Sequence, residues 1–215
     1  MTQHIELLAT WFRSGGPFMW ALLLFLASAT AVTIERLIFL YVICPRDNSG
    51  LVGKLKTALS ENKPDEALKI LGKKSSPVCA LLRVAVESFK AGGSPADIQE
   101  NIEEAAIGHL HRFSERLNYL SLFANVATLV GLLGTISGLM QSFSALATVD
   151  AAQKATLLAA GISEAMITTA FGLIIAVPCM IVYTIFANRR SALVKDLDES
   201  TVRLLNFMKK KRTGE

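Results

Sequence analysis

The stretch Ala160–Asn188, AGISEAMITTAFGLIIAVPCMIVYTIFAN, has no charged residue from Ala165 to Asn188. About 20 residues rising 1.5 Å each match a hydrocarbon core of roughly 30 Å, so this run can cross a bilayer as a helix. Few soluble architectures can accommodate it. Its polar content needs explaining, because Glu164, Thr168 and Thr169 stand where lipid penalises them. Such groups inside a span usually face protein or water and mark an ion or substrate path. A glutamate at the head of a span can also snorkel to the headgroups. At about 100° per residue, with Glu164 as zero, Thr168 lies near about 40°, Cys179 about 60°, Gly172 about 80°, Ala176 about 120° and Thr169 about 140°. Ile167, Ile174, Ile181 and Ile185 gather on the other side. One arc is small and polar, and the other suits lipid or apolar neighbours.

Two more spans are expected. The charge-free run from Leu117 to Val149 contains Ser121, Thr128, Thr135 and Ser142 at intervals of seven. That spacing puts the four hydroxyls on one side of a helix, drifting only about 20° per heptad. Gly131, Gly134 and Gly138, in VGLLGTISG, let a neighbouring backbone come close, as small residues do between membrane helices. The hydroxyls can equally bond the carbonyls four residues back and serve packing. These glycines do not fit the phosphate-cradling GxxxxGK[ST] pattern. The first span opens at Pro17, whose missing N–H costs nothing at a helix start, and runs through PFMWALLLFLASATAVTI. A secretory signal is the rival reading, since Ala27-Ser28-Ala29 resembles a cleavage site. The segment before Pro17 has one basic residue, and the apolar pattern resumes as LIFLYVI, so a retained span is expected.

With 52% hydrophobic and 19% charged residues, the 215-residue chain is more apolar and less charged than soluble domains at about 45–50% and about 25%. The expected architecture is an all-α integral membrane protein with three transmembrane helices, two of them very long and extending into a cytoplasmic helical bundle. Residues 1–16 read as a periplasmic amphipathic helix, with Ile5, Leu8 and Phe12 near helical spacing, and 17–43 as the first transmembrane helix. Residues 44–116 read as a cytoplasmic helical region, 117–147 as the second transmembrane helix and 148–157 as a periplasmic link. Residues 158–188 form the third span, and 189–215 a cytoplasmic C-terminal helix. In the middle region Leu51–Leu59 and Pro64–Leu71 read as short helices, and Ser76-Pro77 opens a third that Gly92-Gly93 closes. Ser94-Pro95-Ala96-Asp97 supplies a capping serine, a first-turn proline and an acid suited to the helix dipole. With no proline between Pro95 and Pro178, one helix is expected from Pro95 to about Ala147.

Orientation follows from basic residues. Residues 36–116 have twelve Lys or Arg and residues 189–215 have eight, against one each before Pro17 and in the 148–157 link. The positive-inside rule then places the N-terminus outside and both basic regions in the cytoplasm. The tail cluster Lys209–Arg212 can touch anionic lipid, but a topology anchor and solvated helix end is the expected role. No nucleic-acid partner is expected.

Cys44, Cys79 and Cys179 form no CxxC pair and read as reduced packing residues. His109 and His111 point to different helix faces, and His111 with Glu115 is a lone pair, so no metal site is expected. No nucleophile set or acid pair suggests hydrolysis, and no cofactor or enzymatic activity is expected. A secondary transporter would show repeated halves with broken helices, which this chain lacks.

VGLLGTISGLMQSF followed by GISEAMITTAFGLIIAVPCMIVYTIFANR resembles the signature of the MotA/TolQ/ExbB proton-channel family. The three-span plan with its N-terminus outside looks like the ExbB/TolQ branch, and Glu35-Arg36 at the end of the first span also fits. The resemblance implies a homopentameric ring in the bacterial inner membrane, whose pore holds helices of a dimeric ExbD/TolR-like single-span partner with a membrane aspartate. It implies that proton flow drives mechanical work. Carried over by motif, Thr135 and Thr169 match the hydroxyls lining the family's ion path, and Glu164 matches its carboxylate. Thr168 stands where some relatives have alanine, so either threonine can be the one that faces the pore. A threonine hydroxyl does not titrate in the biological range. Glu164 is the only acid in the two later spans, so a charge moving deep in the membrane would come from another chain. A non-conducting helical scaffold is the alternative. The process powered and the choice of proton over sodium do not follow from these residues.

Overall fold

A computed structural model of the chain describes Phe12 and residues 15–44, 49–72, 76–147 and 149–213. The amphipathic helix expected before Pro17 lies outside the described residues except for Phe12, Gly15 and Gly16. Pro45, Asn48 and Gly50 read from the sequence as the stop of the first helix; Pro45 and Asn48 also lie outside the described residues, and Gly50 falls in the first turn of the next helix. All regular elements among the described residues are helical: α1 (Phe18–Leu37), running into a π-helical turn (Ile38–Ile43), then α2 (Ser49–Ser60), α3 (Pro64–Leu71), α4 (Pro77–Lys90), α5 (Pro95–Ser114), α6 (Leu117–Ala145) and α7 (Ala151–Thr213). Three stretches are long and apolar enough to cross a membrane: Phe18–Ile43, Leu117–Ala145 and Ala151–Lys211. The chain is an all-α membrane protein with three such spans.

Three expectations are corrected. The single helix expected from Pro95 to about Ala147 is broken at Glu115–Arg116, where Arg116 takes a left-handed conformation at φ 59°. A non-glycine residue pays roughly 1–2 kcal/mol for that geometry. The third span and the C-terminal segment, expected as separate pieces, are instead one helix of 63 residues with Pro178 inside it. That helix begins at Ala151, so most of the stretch expected as a link is helical.

The described residues divide into two compact units. The first takes its residues from Met1–Ile34 and Arg116–Thr184. Here α6 buries Leu120, Ala124, Ala127, Gly131, Gly134, Gly138 and Ser142 along one face. Within this unit the buried residues of α7 are Gly161, Ala165, Thr168, Gly172, Ile175, Ala176 and Cys179, which share an arc of about 100°. This is the small, polar arc read from the sequence. Ile174 and Ile181 on the opposite side are exposed, as residues meant for lipid or another chain would be. Phe25 of α1 meets Phe123 of α6 with ring centroids 6.2 Å apart.

The second unit comprises Glu35–Glu115 and Ile185–Glu215. Its core is a helical bundle in which Leu55, Leu59, Leu71, Leu82, Ile98 and Leu204 are fully or almost fully buried. The expected capping serine is present at α5, and Asp97 does more than face the dipole, closing a capping box: Ser94 Oγ accepts from the Asp97 N–H at 3.2 Å, and Asp97 Oδ2 accepts from the Ser94 N–H at 2.7 Å. The end of α2 is closed by Asn62 at φ 59°. The Leu59 carbonyl and Asn62 Oδ1 both accept from Lys211 Nζ, the latter at 2.8 Å. One lysine of the basic tail therefore caps a helix, complementing the negative end of the α2 dipole. At the π-helical turn, Arg189 donates from Nε to the Leu40 carbonyl at 3.4 Å and from Nη2 to the Cys44 carbonyl at 3.2 Å. Its guanidinium stacks 5.0 Å from the centre of the Tyr41 ring.

Candidate functional site: the seam between the second and third spans

The seam forms because α6 and α7 each offer a strip without side-chain bulk. A Cβ on Gly131 would lie 3.3 Å from the Thr169 Cα and 3.4 Å from the Gly172 Cα. A Cβ on Gly172 would lie 2.7 Å from the Ala127 carbonyl oxygen, and one on Gly138 would lie 3.3 Å from the Ala165 Cβ. Backbone meets backbone here. Close approach of this kind is how membrane helices gain packing without a hydrophobic driving force.

Hydroxyls fill what the glycines leave. Thr168 is buried at 1% exposure, with its side chain against Gly134. Its Oγ1 lies 2.8 Å from the Gly15 carbonyl and 2.9 Å from the Glu164 carbonyl. Thr169, half-buried, donates across the seam to the Gly131 carbonyl at 2.9 Å. Thr135, half-buried, donates to the Leu132 carbonyl at 2.6 Å. Ser142 is buried, donates to the Gly138 carbonyl at 2.9 Å and fills the space beside Gly161. A hydroxyl has one proton, so each of these groups commits it to a backbone carbonyl and keeps lone pairs for accepting. The carboxylate Glu164, half-buried, sits against Gly16 at the turn before α1.

The structure therefore brings together Glu164, Thr168, Thr169, Ser142, Gly131, Gly134, Gly138 and Gly172, with Thr135 on the adjacent face of α6. It separates the four-hydroxyl row. Thr128 is exposed and bonds the Ala124 carbonyl at 3.0 Å within its own helix, and Ser121 is half-buried further along α6. Three members were not read from the sequence as site residues. Gly161 occupies the same arc of α7 as Gly172, and that phase was the signal available for it. Gly15 and Gly16 stand before Pro17 in a segment read as a surface helix, and nothing local ties them to a helix so distant in sequence.

Fold and seam together define a helical membrane protein with a tightly packed, hydroxyl-bearing interface between its second and third spans and a single carboxylate at one end of it. Residues 73–199, more than half of the chain, match the MotA/TolQ/ExbB proton channel family, and the chain belongs to this family. It falls on the ExbB/TolQ-like branch. A protein named ExbB-like 3 from Synechocystis sp. is 30% identical over 188 residues, covering 85% of this chain and 88% of the relative. The Tol-Pal system protein TolQ of Pseudomonas aeruginosa is 38% identical over 107 residues, covering 48% of this chain and 46% of its own length. The biopolymer transport protein ExbB of Pseudomonas putida is 27% identical over 164 residues, covering 73% of this chain and 48% of its own. The chain thus spans about half the length of the latter two relatives.

Proposed function

We propose that the chain is the ring-forming subunit of an inner-membrane, proton-driven motor complex that turns the proton-motive force into mechanical work through an ExbD/TolR-like partner. Its N-terminus is periplasmic and its C-terminus cytoplasmic. One observation carries this reading most directly: the seam hydroxyls have their protons tied to backbone carbonyls, which leaves acceptor lone pairs. A site of that kind suits a protonated group, which donates to it, better than an anion. The later spans supply no acid besides Glu164, so the group that arrives is a carboxyl from another chain. Protonation neutralises the partner's membrane aspartate, lowers its cost of passing an apolar wall, and couples proton entry to movement. The membrane potential contributes about 2.3 kcal/mol per charge for each 100 mV, so a few protons per step suffice for a protein rearrangement. Thr168 is enclosed within its own chain, which favours Thr169 and Thr135 as the hydroxyls that meet the partner.

The test is proton flux through the assembled complex in vesicles. Thr135→Val and Thr169→Val are expected to lower flux and work together. Unchanged flux in a folded, assembled double variant would sink the conduction reading.

A non-conducting scaffold is the second reading, favoured by the burial of Thr168 and Ser142 and by Ser142, Thr128 and Ser144 bonding carbonyls four residues back. Purification separates the two. Recovery of a small single-span protein with a membrane aspartate supports the motor, and a ring with a lipid-filled centre supports the scaffold.

A further inference from the structure

The turn that precedes α1 touches the carboxylate and the buried threonine of the third span. Thr168 Oγ1 lies 2.8 Å from the Gly15 carbonyl, a contact between residues 153 apart in sequence. Gly15 is itself buried, and a Cβ on it would lie 2.6 Å from Met19 Sδ. Gly16 has φ +70°, and its Cβ direction is aimed at Glu164: a Cβ there would collide with Oε1 and lie 3.3 Å from Cδ and 3.8 Å from Cγ.

Opening a span does not require any of this. A residue before proline is steered away from the right-handed helical region, and an L-residue ahead of Pro17 would normally extend. Glycine alone enters the positive-φ region without cost, and there the turn folds back over α7. Gly16 thereby presents a bare backbone where any side chain would displace the glutamate. Gly15 offers its carbonyl to the one threonine that also touches Glu164 through its backbone, at 2.9 Å.

We propose that the Gly15–Gly16 turn is a positioning element for Glu164: Gly16 fixes where the carboxylate sits by contact, and Gly15 locks the helical turn that carries it through Thr168. The first span thereby shapes the immediate surroundings of the Glu164 carboxyl. This rests on the reading of Glu164 as part of the ion path.

Carbodiimide labelling at position 164 tests it, because dicyclohexylcarbodiimide attacks protonated carboxyls in apolar surroundings and needs no flux. The full-length protein in vesicles is labelled across a pH series. Gly16→Ala adds a Cβ against Glu164, and Gly16→Asn does the same in a residue type that tolerates positive φ better. Gly92→Ala is the control: Gly92 has φ +85° with open space around it, so it bears the backbone strain without a neighbour. Both Gly16 variants are expected to change the labelling rate by about threefold or more or to shift its pH midpoint, since solvation and neighbours set a carboxyl's titration. Gly92→Ala is expected to match the wild type. Shortening the acid in the Gly16→Ala background with Glu164→Asp is expected to bring labelling back towards that of Glu164→Asp alone. If the Gly16 variants do not fold, Thr168→Val removes the bond to Gly15 at nearly constant volume and is expected to shift the same profile. A wild-type labelling profile in a folded Gly16 variant, or in Thr168→Val where that variant takes its place, overturns the proposal. Failure of the ion-path reading would appear separately, as unchanged flux in the Thr135→Val, Thr169→Val protein.

Discussion

Thr169 Oγ1 lies 2.9 Å from the Gly131 carbonyl oxygen and ties the third span to the second across 38 residues of sequence. A helix carbonyl has two lone pairs, so Gly131 can accept this bond in addition to its intrahelical one. Its net worth is about 1 kcal/mol. Thr169→Val keeps the shape and loses the donor, and is expected to lower the unfolding midpoint of the purified protein by a corresponding amount. Thr169→Ser is expected to keep most of it. Equal midpoints for the two variants would mean that the bond contributes nothing to holding the spans together.

The glycines of the seam differ in what they face, and this separates two substitutions alike on paper. A Cβ on Gly134 meets the Thr168 side chain, whereas one on Gly172 meets the Ala127 carbonyl and the Gly131 backbone. Overpacking costs about 1–3 kcal/mol where neighbours cannot give. Gly134→Ala is expected to be partly rescued by Thr168→Ala, which removes the obstructing Cγ2 and leaves only the Cβ at 2.9 Å to shift. Gly172→Ala is expected to resist rescue by any single side-chain truncation. Stability of the four proteins, read as thermal midpoints in one detergent, checks the contrast.

Arg116 joins α5 to α6 in a left-handed conformation that suits glycine or asparagine better than a branched side chain. Arg116→Ile is expected to cost about 1–2 kcal/mol more than Arg116→Asn. Chemical unfolding of the two variants gives the difference directly, and equal stabilities would show that the turn relaxes.

Lys211 donates to the Leu59 carbonyl and to Asn62 Oδ1, whereas Lys210 is exposed. Bonds from a charged donor are worth about 1.5–3 kcal/mol when shielded, and less at a half-exposed site. Lys211→Met is expected to speed amide exchange at the end of α2, around Asn62 and Lys63, and Lys210→Met to leave it unchanged. If both variants exchange alike, the tail lysine is not a cap.

The parts of this architecture legible in the sequence are those set by local chemistry. The charge-free runs give the spans, because lipid tolerates little else. Ser94 with Asp97 gives the start of α5, because a capping box is a short-range device. The arc of Gly172, Thr168 and Ala176 gives the packed face of α7, because small residues repeat at the helical period. The break at Arg116 escaped because no glycine or proline marks it, and the residue that takes positive φ is one that rarely does. The hydroxyl row on α6 was legible as a pattern but not as a set of partners. Ser142 and Thr128 share a phase, yet one is buried against Gly161 and the other is exposed and bonds within its own helix, because the glycines decide where the two helices touch. The contact of Gly15 and Gly16 with Thr168 and Glu164 was out of reach for a different reason. It depends on how distant segments pack, and no periodicity reports on that.

The π-helical turn Ile38–Ile43 holds one residue more per turn than an α-helix, as the Cys44 N–H bond to the Phe39 carbonyl records. Arg189 reads that irregularity, since the Leu40 and Cys44 carbonyls it grasps belong to the widened turn. Removing one residue here would turn the widened turn back into an ordinary α turn and take away the backbone geometry in which Arg189 meets the Leu40 and Cys44 carbonyls. The number of residues in IFLYVI therefore matters alongside their identity, since Leu40 is buried and Tyr41 lies against the Arg189 guanidinium. In this short stretch a count of residues is itself a structural requirement, and a change in length and a change in side chain act on different contacts: the first on what Arg189 grasps, the second on what it lies against.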